Sequence, residues 1–167
     1  MRFFVNNNFI ETKLFFLDKE IEPFYFGNTY YYKIKIRKGR MNFVLKLIEE
    51  FKTYPTLFFS LEMAEETLKK MNLIDKTNQN LFIVDTPNLN IDNLCLLAEK
   101  YINKNKTKII FIDYLKLLTV TDENISEIEK EELLLNKLKE FAKRNNIIII
   151  ATNNLSLKDK EDIKVVH

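Results

Sequence analysis

Three short runs set the strongest limit on how this chain can fold. Leu57–Phe59, Ile109–Ile112 and Ile147–Ile150 are apolar without interruption. A strand with one wet face alternates apolar and polar residues, whereas an uninterrupted run fits a strand covered on both faces. The segments around these runs have helical spacing. Met41–Lys52 places Phe43, Val44, Leu47, Ile48 and Phe51 on one stripe. Ile91–Asn103 follows Asn90, a residue suited to an N-cap. Ser126–Arg144 opens with Ser126 and Glu129 at capping-box spacing and carries a stripe of Ile128, Leu135, Leu138 and Ala142, widened by Leu134 and Phe141. Strands alternating with helices predict an α/β fold with a mostly parallel central sheet flanked by helices.

Further elements complete the pattern. Tyr30–Ile36 predicts a strand, as do Thr56–Ser60 after Pro55, Leu81–Val84 before Asp85-Thr86-Pro87, and Asp162–Val166. Ala64–Met71 predicts a short helix. At the N-terminus, Arg2–Val5 and Phe9–Leu17 flank Asn6-Asn7-Asn8, which predicts a β-hairpin. With 167 residues and no low-complexity linker or repeat, a single domain over 1–167 is expected, with 1–29 as a hairpin appendage and 30–167 as the core.

Composition narrows the setting. No run approaches the roughly 18 apolar residues of a membrane span, and MRFFVNNNFIETK has no apolar signal region, so a cytoplasmic protein without membrane contact is expected. The single cysteine, Cys95, excludes an intramolecular disulfide and sits in an apolar helical stretch, where packing is its expected role. Charge is segregated. Lys33, Lys35, Arg37, Lys38, Arg40 and Lys46 occur with no acid between them, and Asp122, Glu123, Glu127, Glu129, Glu131 and Glu132 occur with only Lys130 among them. A basic cluster of this kind offers phosphate or nucleic acid a surface. The neighbouring Tyr30-Tyr31-Tyr32 could stack bases, but on a strand alternate tyrosines are expected to face the core.

The segment Lys108–Leu118, KIIFIDYLKLL, ends a buried strand on Asp113. Nucleoside triphosphatases place an acid there to hold magnesium, normally together with a loop G-x-x-x-x-G-K-[ST]. The chain's two glycines, Gly27 and Gly39, neither begin nor end such a loop.

Four segments together resemble the C-terminal, RecA-like ATPase domain of DnaB-type replicative DNA helicases. LFFSLEM (57–63), continuing AEETL, is similar to the passage after that family's second core strand. LFIVDTPNLNIDNL (81–94) resembles its strand–DTPG–helix passage, with Asn88 in place of glycine. IIFIDYLKLL (109–118) resembles its Walker B strand, and FAKRNNIIIIATNNL (141–155) its helix and strand ending in a polar sensor. The order and spacing are preserved over roughly residues 56–155. By this resemblance Glu62 matches the carboxylate that activates water, Asp113 the magnesium-binding acid, and Asn153 the glutamine that senses the γ-phosphate. Phosphoryl transfer uses a positioned base, a metal anchor and a polar group that reports the phosphate.

Departures from the family pattern are equally specific. The stretch Arg37-Lys38-Gly39-Arg40-Met41-Asn42-Phe43 is shorter than the family's phosphate loop and has no Lys-Ser or Lys-Thr. One glycine cannot wrap backbone N–H groups around phosphates. Arg37, Lys38 and Arg40 remain as point charges for phosphate or nucleic acid. Thr119–Glu132, where the family faces single-stranded DNA, is acidic, and like charge repels a phosphate backbone. Ser156–His167, where the family supplies a basic finger, contains no arginine.

The resemblance therefore implies a degenerate relative lacking the phosphate loop. It is expected to bind rather than hydrolyse, with no cofactor, and to act in DNA replication on a replicative helicase or other RecA-like ATPase. A divergent ATP- and magnesium-dependent helicase and a small single-stranded-DNA-binding module are the alternatives, and assembly as a homo-oligomer is also compatible with this ancestry.

Overall fold

The computed structural model describes residues 8–17, 19–35, 39–122, 124–156 and 158–166. Arg37, Lys38, Glu123, His167 and the expected strand Arg2–Val5 lie outside the described residues.

A six-stranded sheet organises the structure, in the order β10 (Ile163–Val166), β5 (Thr29–Lys35), β9 (Ile148–Leu155), β8 (Ile109–Asp113), β6 (Thr56–Ser60), β7 (Leu81–Val84). All neighbours run parallel except β10, which pairs antiparallel with β5. This is the mostly parallel sheet the uninterrupted apolar runs predict. Its central strands are buried along their length: Leu57 to Phe59, Ile109 to Ile112 and Ile148 to Ala151 are fully enclosed.

Helices cover both faces. On one lie α1 (Arg40–Glu50) and α2 (Glu65–Lys70); on the other lie α3 (Ile91–Asn105) and α4 (Glu127–Asn145). Strand alternation sorts the core accordingly. Tyr30, Tyr32, Phe58, Phe111, Ile148 and Ile150 pack toward α1, while Tyr31, Leu57, Phe59, Ile110, Ile149 and Ala151 pack toward α4. All three consecutive tyrosines are thus buried, not alternate ones, because β5 is covered on both sides. Their rings are not free to stack on bases.

N-terminal hairpin strands are present. β1 (Phe9–Ile10) pairs with β4 (Phe24–Tyr25), and inside that pair β2 (Phe15–Phe16) meets β3 (Lys19–Glu20). This reversal lies between Phe16 and Lys19, with Leu17 in left-handed backbone, while Asn6 and Asn7 of the expected turn lie outside the described residues. Ile10, Phe16, Ile21 and Phe24 enter the core on the α1 side, where Phe24 meets Phe51 and Tyr30 edge-on and Phe16 meets Phe43. Each such side chain removed from water contributes about 1.5–3 kcal/mol before entropy is counted.

Local signals hold at the helix starts. Asn90 accepts the Asp92 amide at 2.8 Å, and Ser126 and Glu129 exchange both capping-box bonds. The Asp85 carboxylate accepts the amide of Glu65 at 2.8 Å and starts α2, whose own N-cap, Ala64, has no acceptor side chain. One expectation is corrected. Ile128 is 74% exposed and stands outside the stripe of α4, which is Leu134, Leu138, Phe141 and Ala142. Cys95 packs half-buried against the α3 side of the core, and burial pushes its thiol up to about 11.

Candidate functional site

The C-terminal ends of β5, β6, β8 and β9 and the start of α1 meet at one place, the side of an open α/β sheet where ligands bind in such folds. Gly39 sits at φ 84, in the left-handed region, and turns the chain into α1 there. The first helical residue is Arg40. It lies one turn before Phe43 and Val44 and two before Leu47, on the helix face that is buried. Its side chain is therefore carried inward, with only 7% of it exposed.

At the end of that side chain three acceptors converge. Asp113, wholly buried at the last position of β8, receives Arg40 Nε on Oδ1 at 2.6 Å, with Nη2 3.5 Å from Oδ2. Glu62, just past β6, receives Nη2 on Oε2. Asn154 on β9 receives Nη1 on its Oδ1. The Tyr114 ring lies under the guanidinium, 4.3 Å from its centroid. Thr152 adds a second bond to Asp113, its hydroxyl donating to Oδ1 at 2.6 Å. Burial pulls the guanidinium pKa down, but the hydrogen bond and charge of Asp113, then those of Glu62, outweigh it and leave the pKa above its ordinary value. Arg40 stays charged, and its fork matches carboxylate geometry as a lysine could not.

The sequence candidates divide three ways. Glu62, Asp113 and Arg40 are brought together. Asn153 is not: it faces α4, where its Nδ2 donates to the Tyr31 hydroxyl at 2.8 Å and lies 3.4 Å from Glu131. Its neighbours Thr152 and Asn154 reach the cluster instead, because alternate residues of a strand share a face. Arg37 and Lys38 lie outside the described residues.

On the α4 side, Glu131 accepts the Tyr31 hydroxyl at 2.9 Å and Lys33 at 2.5 Å. Burial, reinforced by Glu131 and partly offset by Asn153, raises the Tyr31 pKa well above the usual phenol range. This network borders a groove of about 640 Å³ that also touches Tyr114 and Asn154. Lys35, also of the basic stretch, lies 3.4 Å from Asp162.

A magnesium-bound phosphate needs hard oxygen ligands free to coordinate and N–H donors free to wrap it. Here the facing oxygens of Asp113, Glu62 and Asn154 already hold a guanidinium. The residues as they stand do not fit that group.

Residues 71–163, more than half the chain, match the family described as DnaB-like helicase C terminal domain. Among curated proteins, the chain is 27% identical over 146 residues to a probable replicative DNA helicase of Trieres chinensis, an overlap of 70% of this chain and 32% of that protein. It is 30% identical over 127 residues to the replicative DNA helicase DnaB of Rickettsia felis, covering 59% of this chain and 26% of the relative. The chain thus spans about a third or less of these relatives' length. Among solved structures, an ATPase domain superposes with a TM-score of 0.67 at 19% identity, over 80% of this chain and 60% of that one. A DnaB-like replicative helicase, solved for its interactions with primase, superposes at 0.64 and 19% identity over 78% of this chain and 41% of that one. These likenesses carry the fold, and the family match carries the membership: the chain belongs to the DnaB-like helicase C-terminal domain family.

Proposed function

We propose that this chain is a DnaB-like domain that does not hydrolyse ATP and that works in DNA replication as a binding or regulatory protein on a replicative helicase or another RecA-like ATPase. One observation carries the reading: Arg40 is buried against Asp113 and Glu62, the two acids that the family resemblance assigns to magnesium and to water activation. Both carboxylates already hold the guanidinium, and a magnesium ion would have to displace a buried positive charge to reach Asp113. The sheet, both apolar layers and the caps of α3 and α4 are nevertheless intact, which suits a domain kept for its shape and surface. The relatives named above are replicative helicases, so a RecA-like ring subunit is the surface such a domain would match.

Phosphate release from magnesium–ATP, measured with and without single-stranded DNA, is expected to stay at the protein-free background. Turnover that Asp113→Ala abolishes would overturn the non-hydrolysing reading. Co-elution with a purified replicative helicase on gel filtration tests the partner, and separate elution at equimolar, micromolar mixing would remove it. The basic-patch reading as a DNA-binding module has less support, since Tyr30, Tyr31 and Tyr32 are buried and Lys33 and Lys35 are paired within the chain.

A further inference from the structure

The inward stripe of α4 changes character partway along the helix. From Leu134 onward it is apolar, with Leu134, Leu138, Phe141 and Ala142 buried against the sheet. One turn before Leu134 the same side of the helix carries Lys130 and Glu131, and two turns before it Glu127. No residue from Ser126 to Leu133 enters either apolar layer. The ties of these two turns to the sheet and to the turn Leu115–Leu117 are polar. Glu131 accepts the Tyr31 hydroxyl at 2.9 Å and Lys33 at 2.5 Å, with Asn153 Nδ2 3.4 Å away. Glu127 lies 3.3 Å from Lys116, and Lys130 Nζ donates to the Lys116 carbonyl at 3.3 Å. Lys116 and Glu127 are both mostly in water, where such a pair holds little. Glu131 alone among these acids reaches buried groups, Tyr31 and Asn153. The same two turns line the groove of about 640 Å³, whose lining also includes three buried leucines, Leu115, Leu134 and Leu155.

We infer that Ser126–Leu133 is a lid on this groove: a helical arm, latched by Glu131, that unwinds while the rest of α4 stays in place. A segment with few buried apolar contacts opens at a lower free energy than the core beside it, and lids are drawn from such segments. Leu138, Phe141 and Ala142 anchor the second half of α4 and leave it no such freedom. The capping box of Ser126 and Glu129 keeps the arm helical when it is closed. Opening breaks the contacts of Glu131 and uncovers the leucines beneath.

Amide hydrogen exchange of the full chain, resolved by residue, provides the test. The amides from Lys130 to Leu133 are compared with those from Leu138 to Ala142, since the earliest amides of a helix have no bond within it to protect them. Glu131→Ala removes the latch but installs the better helix former. Ordinary fraying of a helix end therefore predicts slower exchange in the variant, and a latched lid predicts faster exchange. The expected result is exchange at least about tenfold faster at Lys130–Leu133, with Leu138–Ala142 within about twofold of wild type. Glu132→Ala, beside the latch and outside it, is expected to give no acceleration. Lys33→Met removes one latch contact at little cost to folding and is expected to speed the same amides about two- to fivefold. Salt at about 1 M, which screens the latch, is expected to narrow the gap between wild type and Glu131→Ala. A fluorescent dye that binds exposed apolar surface is expected to bind more to Glu131→Ala than to wild type. Exchange at Lys130–Leu133 that neither latch variant speeds overturns the inference, as does exchange that Glu132→Ala speeds as much. Equal acceleration across the whole of α4 overturns it too, because the helix then opens as one piece. A faster arm with no gain in dye binding leaves the leucines covered, and the arm is then no lid.

Discussion

Two polar clusters flank β9 and draw on consecutive residues, yet they are built on opposite terms. On the α1 face, Thr152 and Asn154 join Asp113, Glu62 and Arg40, and the central pair is almost dry, with 7% of the Arg40 side chain and none of Asp113 exposed. On the α4 face, Asn153 joins Tyr31, Glu131 and Lys33, whose ion pair keeps 28% and 30% of its side chains in solvent. Net strength of a charge pair depends less on its distance than on what each partner faces once the other is gone. In the dry cluster a lone carboxylate has no water to turn to; in the wet one both ends remain hydrated. The first cluster therefore constrains the fold, while the second tunes how α4 rests on the sheet.

The sharpest way to break that contrast is Asp113→Ala. It strips Arg40 of its main acceptor and leaves a buried guanidinium with the half-exposed Glu62 as its countercharge among the described residues. Removing one partner of a buried pair costs about 3–5 kcal/mol, and urea denaturation is expected to show a loss of that size. Adding Arg40→Met and restoring volume with Asp113→Leu is expected to recover a large part of it, since replacing both charges by apolar groups removes the desolvation penalty as well as the attraction. A single variant within about 1 kcal/mol of wild type would place the Arg40 pair in the same class as an exposed one.

Much of this site was legible in the sequence, though not in the roles first assigned. Arg40 stands three and four residues before Phe43 and Val44 and seven before Leu47, in phase with the apolar stripe, so the periodicity already turned it inward. Reading it as a loose phosphate ligand ignored that phase. Asn154 was recoverable in the same way. Thr152 and Asn154 alternate in step with Ile148 and Ile150, which face α1, whereas Asn153 follows Ile149 and Ala151 toward α4. Family position favoured Asn153; strand geometry selects its neighbours. The sheet and its buried strands were visible because uninterrupted apolar runs have few other uses. The cap of α2 was not, because it depends on a contact distant in sequence. Asp85 reaches Glu65 only because β6 and β7 lie side by side.

Tyr31 lies between the two extremes, a neutral group in a half-wet network. Tyr31→Phe deletes the hydroxyl that bridges Asn153 and Glu131 and is expected to cost about 1–2 kcal/mol. It also carries a pH signature. Burial first, then neighbouring negative charge, raises the pKa of both Tyr31 and Tyr32 in the folded chain. An unfolded tyrosine ionises near pH 10. Above that value the unfolded state loses protons that the folded state keeps, so stability is full below about pH 10 and falls as pH rises past it. Urea midpoints at about pH 8 and about pH 11 are expected to differ by more in wild type than in Tyr31→Phe. An equal drop in both proteins would mean that Tyr31 ionises in the folded state as freely as in the unfolded one, and the α4 network would then be wetter than its geometry indicates.

The smallest effect is expected at Lys33→Met. The methylene stem of the lysine is retained in kind, and what is lost is the charge, with its 2.5 Å contact to Glu131 and its place 5.4 Å over the Tyr31 ring. Glu131 keeps the Tyr31 hydroxyl and roughly a third of its surface in water, so no charge is stranded. Pairs of this exposure are worth about 0.2–1 kcal/mol and weaken as salt rises. The expected result is a loss within that range at low ionic strength that shrinks further in about 1 M salt, where the screening length falls to roughly 3 Å. Asp113→Ala should show no comparable salt relief, because ions do not enter the dry cluster. If Lys33→Met instead matched Asp113→Ala in size and ignored salt, solvent exposure would not be what separates the two faces of β9, and burial would not be what sets the strength of the Arg40 cluster.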